Sequence, residues 1–325
     1  MNDFSDILGQ DVAKSQLSGA LLAKRHVIIV GPPGVGKTTI AKNVAKTLAD
    51  LELMDCQYHC SPRMALCPAC LSGKSKKKVV KGIERFVRIQ GSPDLSAEDL
   101  LGSIDPVKAL SFGPTSLEAF TPGKIFQANQ GVLFFDELNR CPEKLQNALL
   151  QVLEEGIANL GAYKVPLPAS FIFIGTMNPE ETGATEKLSD VFLDRFDLIS
   201  LSWPESIDTE SDIVMKNASF FAEFPSSLLR NSLLFIRLLR ENKDLSKHPG
   251  VRASIGVCER ASAHAHLEGR KKVCAKDVEA VLVSVLAHRI ELKPSAKHSS
   301  SVSEFIMKQF QDFISHNPDF VGECL

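Results

Sequence analysis

The sequence of 325 residues predicts an α/β protein, a parallel sheet flanked by helices and followed by a smaller helical domain. Three observations carry this. The apolar runs HVIIV (26–30), VLFF (132–135) and FIFIG (171–175) hold no alternating polar residues, the pattern of strands covered on both faces of a parallel sheet. Between such runs the period changes to that of helices: Ile40, Val44 and Leu48 follow the first, and Leu145, Leu149, Leu150 and Leu153 lie between the second and third. After Trp203 and Pro204 no comparable run appears, and residues 226–240 and 273–289 have helical periodicity. The expected division is therefore an α/β domain over 1–204 and a helical domain over 205–325, with SAKHSSSVSEF as a loop before a last short helix.

Composition excludes several classes. A net charge of -2 gives no global attraction to nucleic acid or to an anionic membrane. No stretch approaches the roughly 20 apolar residues of a membrane span. The start, MNDFSDILGQ, has neither the basic nor the apolar region of a signal peptide, so the expectation is a cytoplasmic protein. Cys141, Cys258, Cys274 and Cys324 are scattered and read as small apolar residues.

The chemistry begins at GPPGVGKT, residues 31–38, which fits G-x-x-x-x-G-K-[ST] between an expected strand and an expected helix. Gly31, Gly34 and Gly36 let backbone N–H groups converge on phosphate oxygens at a helix N-terminus. Lys37 adds charge for the terminal phosphates and Thr38 a hydroxyl ligand for Mg²⁺. With Pro32, Pro33, Val35 and Thr39 they form the candidate ATP-binding segment.

VLFFDELN raises the next question, because a buried strand runs straight into two adjacent acids, Asp136 and Glu137. In an open α/β sheet, ligands bind beyond the carboxyl ends of the strands. There Asp136 would hold Mg²⁺ and Glu137 would polarise the attacking water, so that cation and nucleophile compensate both acids. The plainer alternative is an N-cap and first-turn acid before a helix at 142–154. TMNP places Asn178 at the same edge, where an amide can orient water; alone it is an ordinary Asn-Pro turn. Arg195 in FLDRFD has a local reading as an ion pair with its neighbours Asp194 and Asp197, and Arg252 in GVRASIG one as a helix-start surface arginine.

The combination GPPGVGKT, LFFDELN, GTMNPEE and LDRF, in this order, resembles the AAA+ ATPases, and more narrowly the magnesium-chelatase subunit I and MoxR branch. EDLLGSID (98–105) and AFTPGKIFQANQGVLFFDELN (119–139) are similar to the chelatase-type pattern, and RASIGVCERASAHAHLEGRKKV followed by AHRI is similar to its helical lid. NRCPEKLQNALLQVLEEG looks more like MoxR. The resemblance implies a P-loop NTPase core with a small all-α lid, ATP and Mg²⁺ as cofactors, and Ile7 and Leu8 of DFSDILGQ near adenine. It further implies Asn178 as sensor 1, Arg252 as sensor 2, and Arg195 as an arginine finger reaching a neighbour's ATP. The working unit is then a homo-oligomeric ring, commonly a hexamer. Its expected partner is a separate polypeptide, in the chelatase version an assembly that inserts Mg²⁺ into a porphyrin, in the MoxR version a complex to be matured, often with an adhesion-type metal-binding domain.

Residues 52–82 read as an insertion, with Pro62, Pro68 and Gly73 discouraging regular structure. It carries CQYHCSPRMALCPAC, a C-x3-C-x6-C-x2-C pattern over Cys56, Cys60, Cys67 and Cys70. Four thiolates suit a closed structural Zn²⁺ site, and four reduced thiols in an ordered loop are the alternative. The following KSKKKVVK is a solvated loop or, in the competing functional reading, part of a DNA-binding element of a nucleic-acid-dependent ATPase. A lack of aromatic residues among these lysines counts against that second reading.

Overall fold

The computed structural model describes residues 4, 6–63, 65, 67–155, 158–160, 163–165, 169–178, 188–297 and 301–320. Pro179, Glu180 and Glu181 of GTMNPEE, and Cys324, lie outside the described residues. The chain divides into two compact units, Met1–Gly31 with Gly36–Leu201, and Pro32–Val35 with Ser202–Leu325.

The first unit is built on five parallel strands: β1 (His26–Val30), β2 (Phe86–Gln90), β3 (Val132–Asp136), β4 (Ile172–Met177) and β5 (Phe196–Ser200). Their spatial order is β5-β1-β4-β3-β2. The three apolar runs are the three central strands, and Val132 to Phe135 and Val27 to Ile29 are fully buried. The sheet's two edges, β2 and β5, are half-exposed strands without an uninterrupted apolar run. Helix α1 (Asp11–Leu22) precedes β1, α2 (Lys37–Thr47) follows the glycine-rich loop, and α3 (Glu143–Glu155) follows β3.

The insertion is more regular than its prolines and glycine suggest. Leu51–Met54 pairs antiparallel with Lys77–Val80, and Pro68–Leu71 forms one helical turn with Pro68 at its start, where the missing N–H costs nothing. Breakers sit between the strands, so the hairpin brackets the irregular segment.

The second unit holds α4 (Ile207–Asn217), α5 (Ser226–Glu241), α6 (Val251–Leu267), α7 (Ala275–Leu286) and α8 (Val302–His316). Leu228, Phe235, Ile236 and Leu239 give α5 one apolar face, buried among Phe305, Phe310 and Phe313 of α8. A short antiparallel pair, Leu245–Lys247 with Glu291–Leu292, is added to the helices. The last helix is 15 residues long rather than short, because Ser301 and Glu304 form a capping box that starts it directly after the serine-rich stretch. Among the described residues no helix is long and apolar enough to cross a membrane.

Candidate functional site

The loop after β1 has the backbone its sequence demands. Gly34 and Gly36 have φ of 84° and 95°, a region that costs a residue with Cβ and suits glycine. Gly36 is the N-cap of α2 and no side chain caps that helix, which leaves its first N–H groups pointing at the space an anion would take. Lys37 Nζ donates to the Gly31 carbonyl, so its ammonium lies across the loop rather than away from it. Asp6 pairs with Lys46 on α2, which ties the segment carrying Ile7 and Leu8 to the helix that starts at Lys37. Within the second unit, a Cβ added at Gly34 would stand 3.2 Å from Arg252 Cγ, at the start of α6.

What stands opposite Asp136 and Glu137 is a set of residues that sequence reasoning missed. Thr176, fully buried on β4, donates its Oγ1–H to Asp136 Oδ1 at 2.7 Å and accepts the Glu137 N–H at 2.9 Å. Arg88 Nη2 donates to Asp136 Oδ2 at 2.6 Å, and Gln90 Nε2 donates to Glu137 Oε2 at 2.8 Å. Both donors project from one face of the edge strand β2, where Gln90 is in register with Asp136. Arg140 completes the group with Nε 3.3 Å from Glu137 Oε2. The available signal was the alternation Val87-Arg88-Ile89-Gln90, a period of two.

Glu137 sits at φ 54° and ψ 51°, a left-handed conformation uncommon for a residue with a side chain. Two contacts hold it there: the Thr176 hydroxyl on its N–H, and Gly91, at which a Cβ would come within 2.1 Å of the Glu137 carbonyl. Backbone strain of this kind persists where the surroundings over-determine it, as at functional sites. The Asp136 side chain is 14% exposed and that of Glu137 35%, so both reach the edge of the sheet without being sealed in it. Asp136 can present oxygens to a divalent cation if Arg88 yields, and Glu137 can accept a proton once Gln90 or Arg140 moves. The sequence's alternative of an N-cap before the helix at 142–154 describes them only in position: Glu137 precedes the one-turn helix Leu138–Arg140, its side chain caps nothing there, and α3 begins only at Glu143.

Asn178 is 9% exposed, one residue beyond β4. Arg195 pairs with Glu154 on α3 and donates to the Val191 carbonyl, not to the flanking acids; Asp197 pairs with Arg25 instead. The three carboxyl-edge features therefore come from neighbouring strands: the glycine loop after β1, Asn178 after β4, the two acids after β3.

A fold of this strand order, with a glycine-rich loop after β1 and paired acids after β3, is that of the P-loop ATPases. The comparisons narrow it. Residues 67–198 match the ATPase family associated with various cellular activities (AAA), 248–308 its AAA lid domain, and 3–68 magnesium chelatase, subunit ChlI. A magnesium-chelatase subunit ChlI homolog of Methanocaldococcus jannaschii is 29% identical, covering 90% of this chain and 86% of that protein. The magnesium-chelatase 38 kDa subunit of Acidiphilium rubrum is 27% identical over 82% of this chain and 84% of its own. Among solved structures, a cryo-EM-based complex of magnesium chelatase subunits BchI and BchD aligns with a TM-score of 0.52 at 24% identity, covering 93% of this chain and 98% of that one, and supports the fold. The ATPase and lid matches together span more than half of the chain and make it an AAA+ ATPase, whose activity is ATP hydrolysis; along its length it is similar to magnesium-chelatase subunit I.

Proposed function

We propose that the chain is the motor subunit of a homo-oligomeric ring, a hexamer by resemblance, that spends ATP to remodel a separate partner protein in the cytoplasm. One observation carries the reading: Asp136 and Glu137 are held by Thr176 at the carboxyl edge of the sheet, one strand removed from the strand that feeds the glycine-rich loop. The donor set fits a nucleotide with its metal, since a helix N-terminus without a cap, a lysine, a threonine hydroxyl and a carboxylate are the groups that chemistry requires.

In this reading the α2 N–H groups and Lys37 bind the terminal phosphates, and Thr38 with Asp136 holds Mg²⁺. The ion, when bound, neutralises charge developing on the phosphates. Glu137 takes the proton of the attacking water and Asn178 orients that water. Ile7 and Leu8 line the adenine, and Arg252 acts as sensor 2. Arg195 leaves Glu154 to reach the ATP of a neighbouring subunit, where a guanidinium delivered in trans stabilises the transition state. The partner is of the kind that magnesium-chelatase relatives and MoxR-type proteins engage, a polypeptide with an adhesion-type metal-binding domain.

The test is Glu137→Gln. The account expects nucleotide binding to survive and turnover to fall by about 100-fold or more, the scale of a lost general base. Full turnover in that variant contradicts the catalytic assignment, and strong stimulation of the wild type by DNA would favour the nucleic-acid reading instead.

A further inference from the structure

The nucleotide site does not use the four cysteines of the insertion, yet the fold gathers them. The ligand sulfurs of Cys56, Cys60, Cys67 and Cys70 all lie within 4.8 Å of one another, and three of the four residues are buried. Sequence spacing brings only Cys67 and Cys70 together, across one helical turn. The other two arrive because Leu51–Met54 and Lys77–Val80 close the hairpin beneath them, and because the Met54 N–H donates to the Cys60 carbonyl at 2.9 Å.

Three features separate this cluster from four small apolar residues in a core. The Cys60 N–H donates to Cys56 Sγ at 3.4 Å, a bond that favours a charged sulfur and orients it. All four sulfurs converge on one point, whereas sulfurs packed for their apolar volume have no reason to meet. A thiolate ligand shell carries excess negative charge, and Lys74, Lys76, Lys77, Lys78 and Lys81 follow at once in the chain. With Zn–S bonds of about 2.3 Å, a tetrahedral zinc places its sulfurs about 3.8 Å apart, so the observed cluster needs only a slight contraction. A four-iron cluster sets an iron behind each thiolate and spreads the sulfurs more widely, so one small ion fits better.

The cluster is also fastened to the sheet. Asn129 Nδ2 donates to the carbonyls of Tyr58 at 3.1 Å and His59 at 3.3 Å, residues that lie between the first two cysteines. Its Oδ1 accepts the Ser170 N–H at 3.0 Å, ahead of β4. The Tyr58 ring lies 5.9 Å from that of Phe126, within the main core of the first unit.

We propose that Cys56, Cys60, Cys67 and Cys70 bind one Zn²⁺ as a closed tetrathiolate site, and that the ion fixes the loop which Asn129 ties to the segment entering β3. Four protein ligands leave no open position, so the ion is structural and takes no part in hydrolysis. Its dependence on the chain is separate from the nucleotide reading and stands or falls alone.

The experiment is metal analysis of the purified full-length chain, followed by replacement with Co²⁺. About one zinc per chain is expected, and the cobalt form should show intense sulfur-to-cobalt charge-transfer absorption with the visible bands of a tetrahedral ion. Cys56→Ser, at the least buried position, should cut retained zinc by about tenfold or more, while Cys56→His should keep the metal because imidazole also ligates zinc. Asn129→Ala should keep the zinc and lose protection of residues 56–70 from proteolysis. A chain that neither carries zinc nor yields the tetrahedral thiolate spectrum with added Co²⁺ overturns the proposal, as does stoichiometric iron in place of zinc. Zinc that persists unchanged in Cys56→Ser and in Cys67→Ser overturns the ligand set. A soluble wild type suffices for the cobalt measurement, so a variant that fails to fold does not spare the proposal.

Discussion

The two units treat carboxylates in opposite ways. In the second unit Glu210 has no exposed side-chain surface, and both oxygens are saturated: Oε1 accepts from Arg240 Nη2 at 2.8 Å and Ser254 Oγ at 2.6 Å, while Oε2 accepts from Arg240 Nη1 at 3.0 Å and Arg237 Nη1 at 3.1 Å. Asp277 is equally enclosed, by Arg270, His264 and the Cys274 N–H that it caps at the start of α7. In the first unit Asp136 and Glu137 face partly exposed partners at an open edge, and Arg88 and Arg140 are themselves about half and two-fifths exposed. Burial makes an acid a fixed strut, because moving it would strand a charge. Partial exposure leaves an acid that can exchange one cation for another. The proposed catalytic role of the edge pair requires this freedom.

Breaking the edge pair should cost the most activity and almost no stability. Glu137→Gln should lower ATP turnover by about 100-fold or more, with a melting temperature that stays near the wild type's, as read by calorimetry. Breaking the enclosed pair should do the reverse. Glu210→Ala strands Arg240 in the helical unit and should cost about 3–5 kcal/mol in urea unfolding of that unit.

Acid sharpens the same difference. Burial opposes ionisation of Glu210 and of Asp277, but the hydrogen bonds from Arg240 and from Arg270 outweigh it and hold both carboxyls below the usual range. A depressed folded pKa gives stability that is full above the unfolded value, near 4.3 for Glu and 3.9 for Asp, and that is lost as pH falls through the lower folded value. The helical unit should therefore lose stability below about pH 4. Glu210→Gln should flatten that acid limb of the stability curve, measured by circular dichroism.

The smallest effect expected belongs to Arg88. It sits on Asp136 where a divalent cation would have to bind, so Arg88→Ala should lower the Mg²⁺ concentration at half-maximal turnover by about 2–5-fold, the scale of one half-exposed ion pair. A rise in the required Mg²⁺ would show that Arg88 supports the site and does not compete for it.

How much of this was legible in the sequence follows burial. Central strands are covered on both faces, so Val132 to Phe135 and Val27 to Ile29 appear as plain apolar runs. The edge strands β2 and β5 are half-exposed, and their mixed composition hid them. Arg88 and Gln90, the donors to the two acids, were hidden with β2. The glycine-loop residues were legible because the motif demands one backbone shape, seen in the positive φ of Gly34 and Gly36, whereas the Arg195 partner was not, since Glu154 is 41 positions away and only the folded chain brings it near. The cysteine spacing left a metal site and four reduced thiols open, and the convergence of all four sulfurs required the hairpin that pairs Leu51–Met54 with Lys77–Val80.

If hydrolysis needs a neighbour's arginine, two inactive chains should complement each other when mixed. Glu137→Gln lacks its own base but keeps Arg195; Arg195→Ala keeps its base but lacks the arginine. If the site is shared between subunits, equal mixing should restore turnover at roughly a quarter of the interfaces, those that pair an intact base with an intact arginine. Turnover that stays at the level of the separate variants, while the mixture still assembles, would show that the site is complete within one chain and would contradict the ring mechanism.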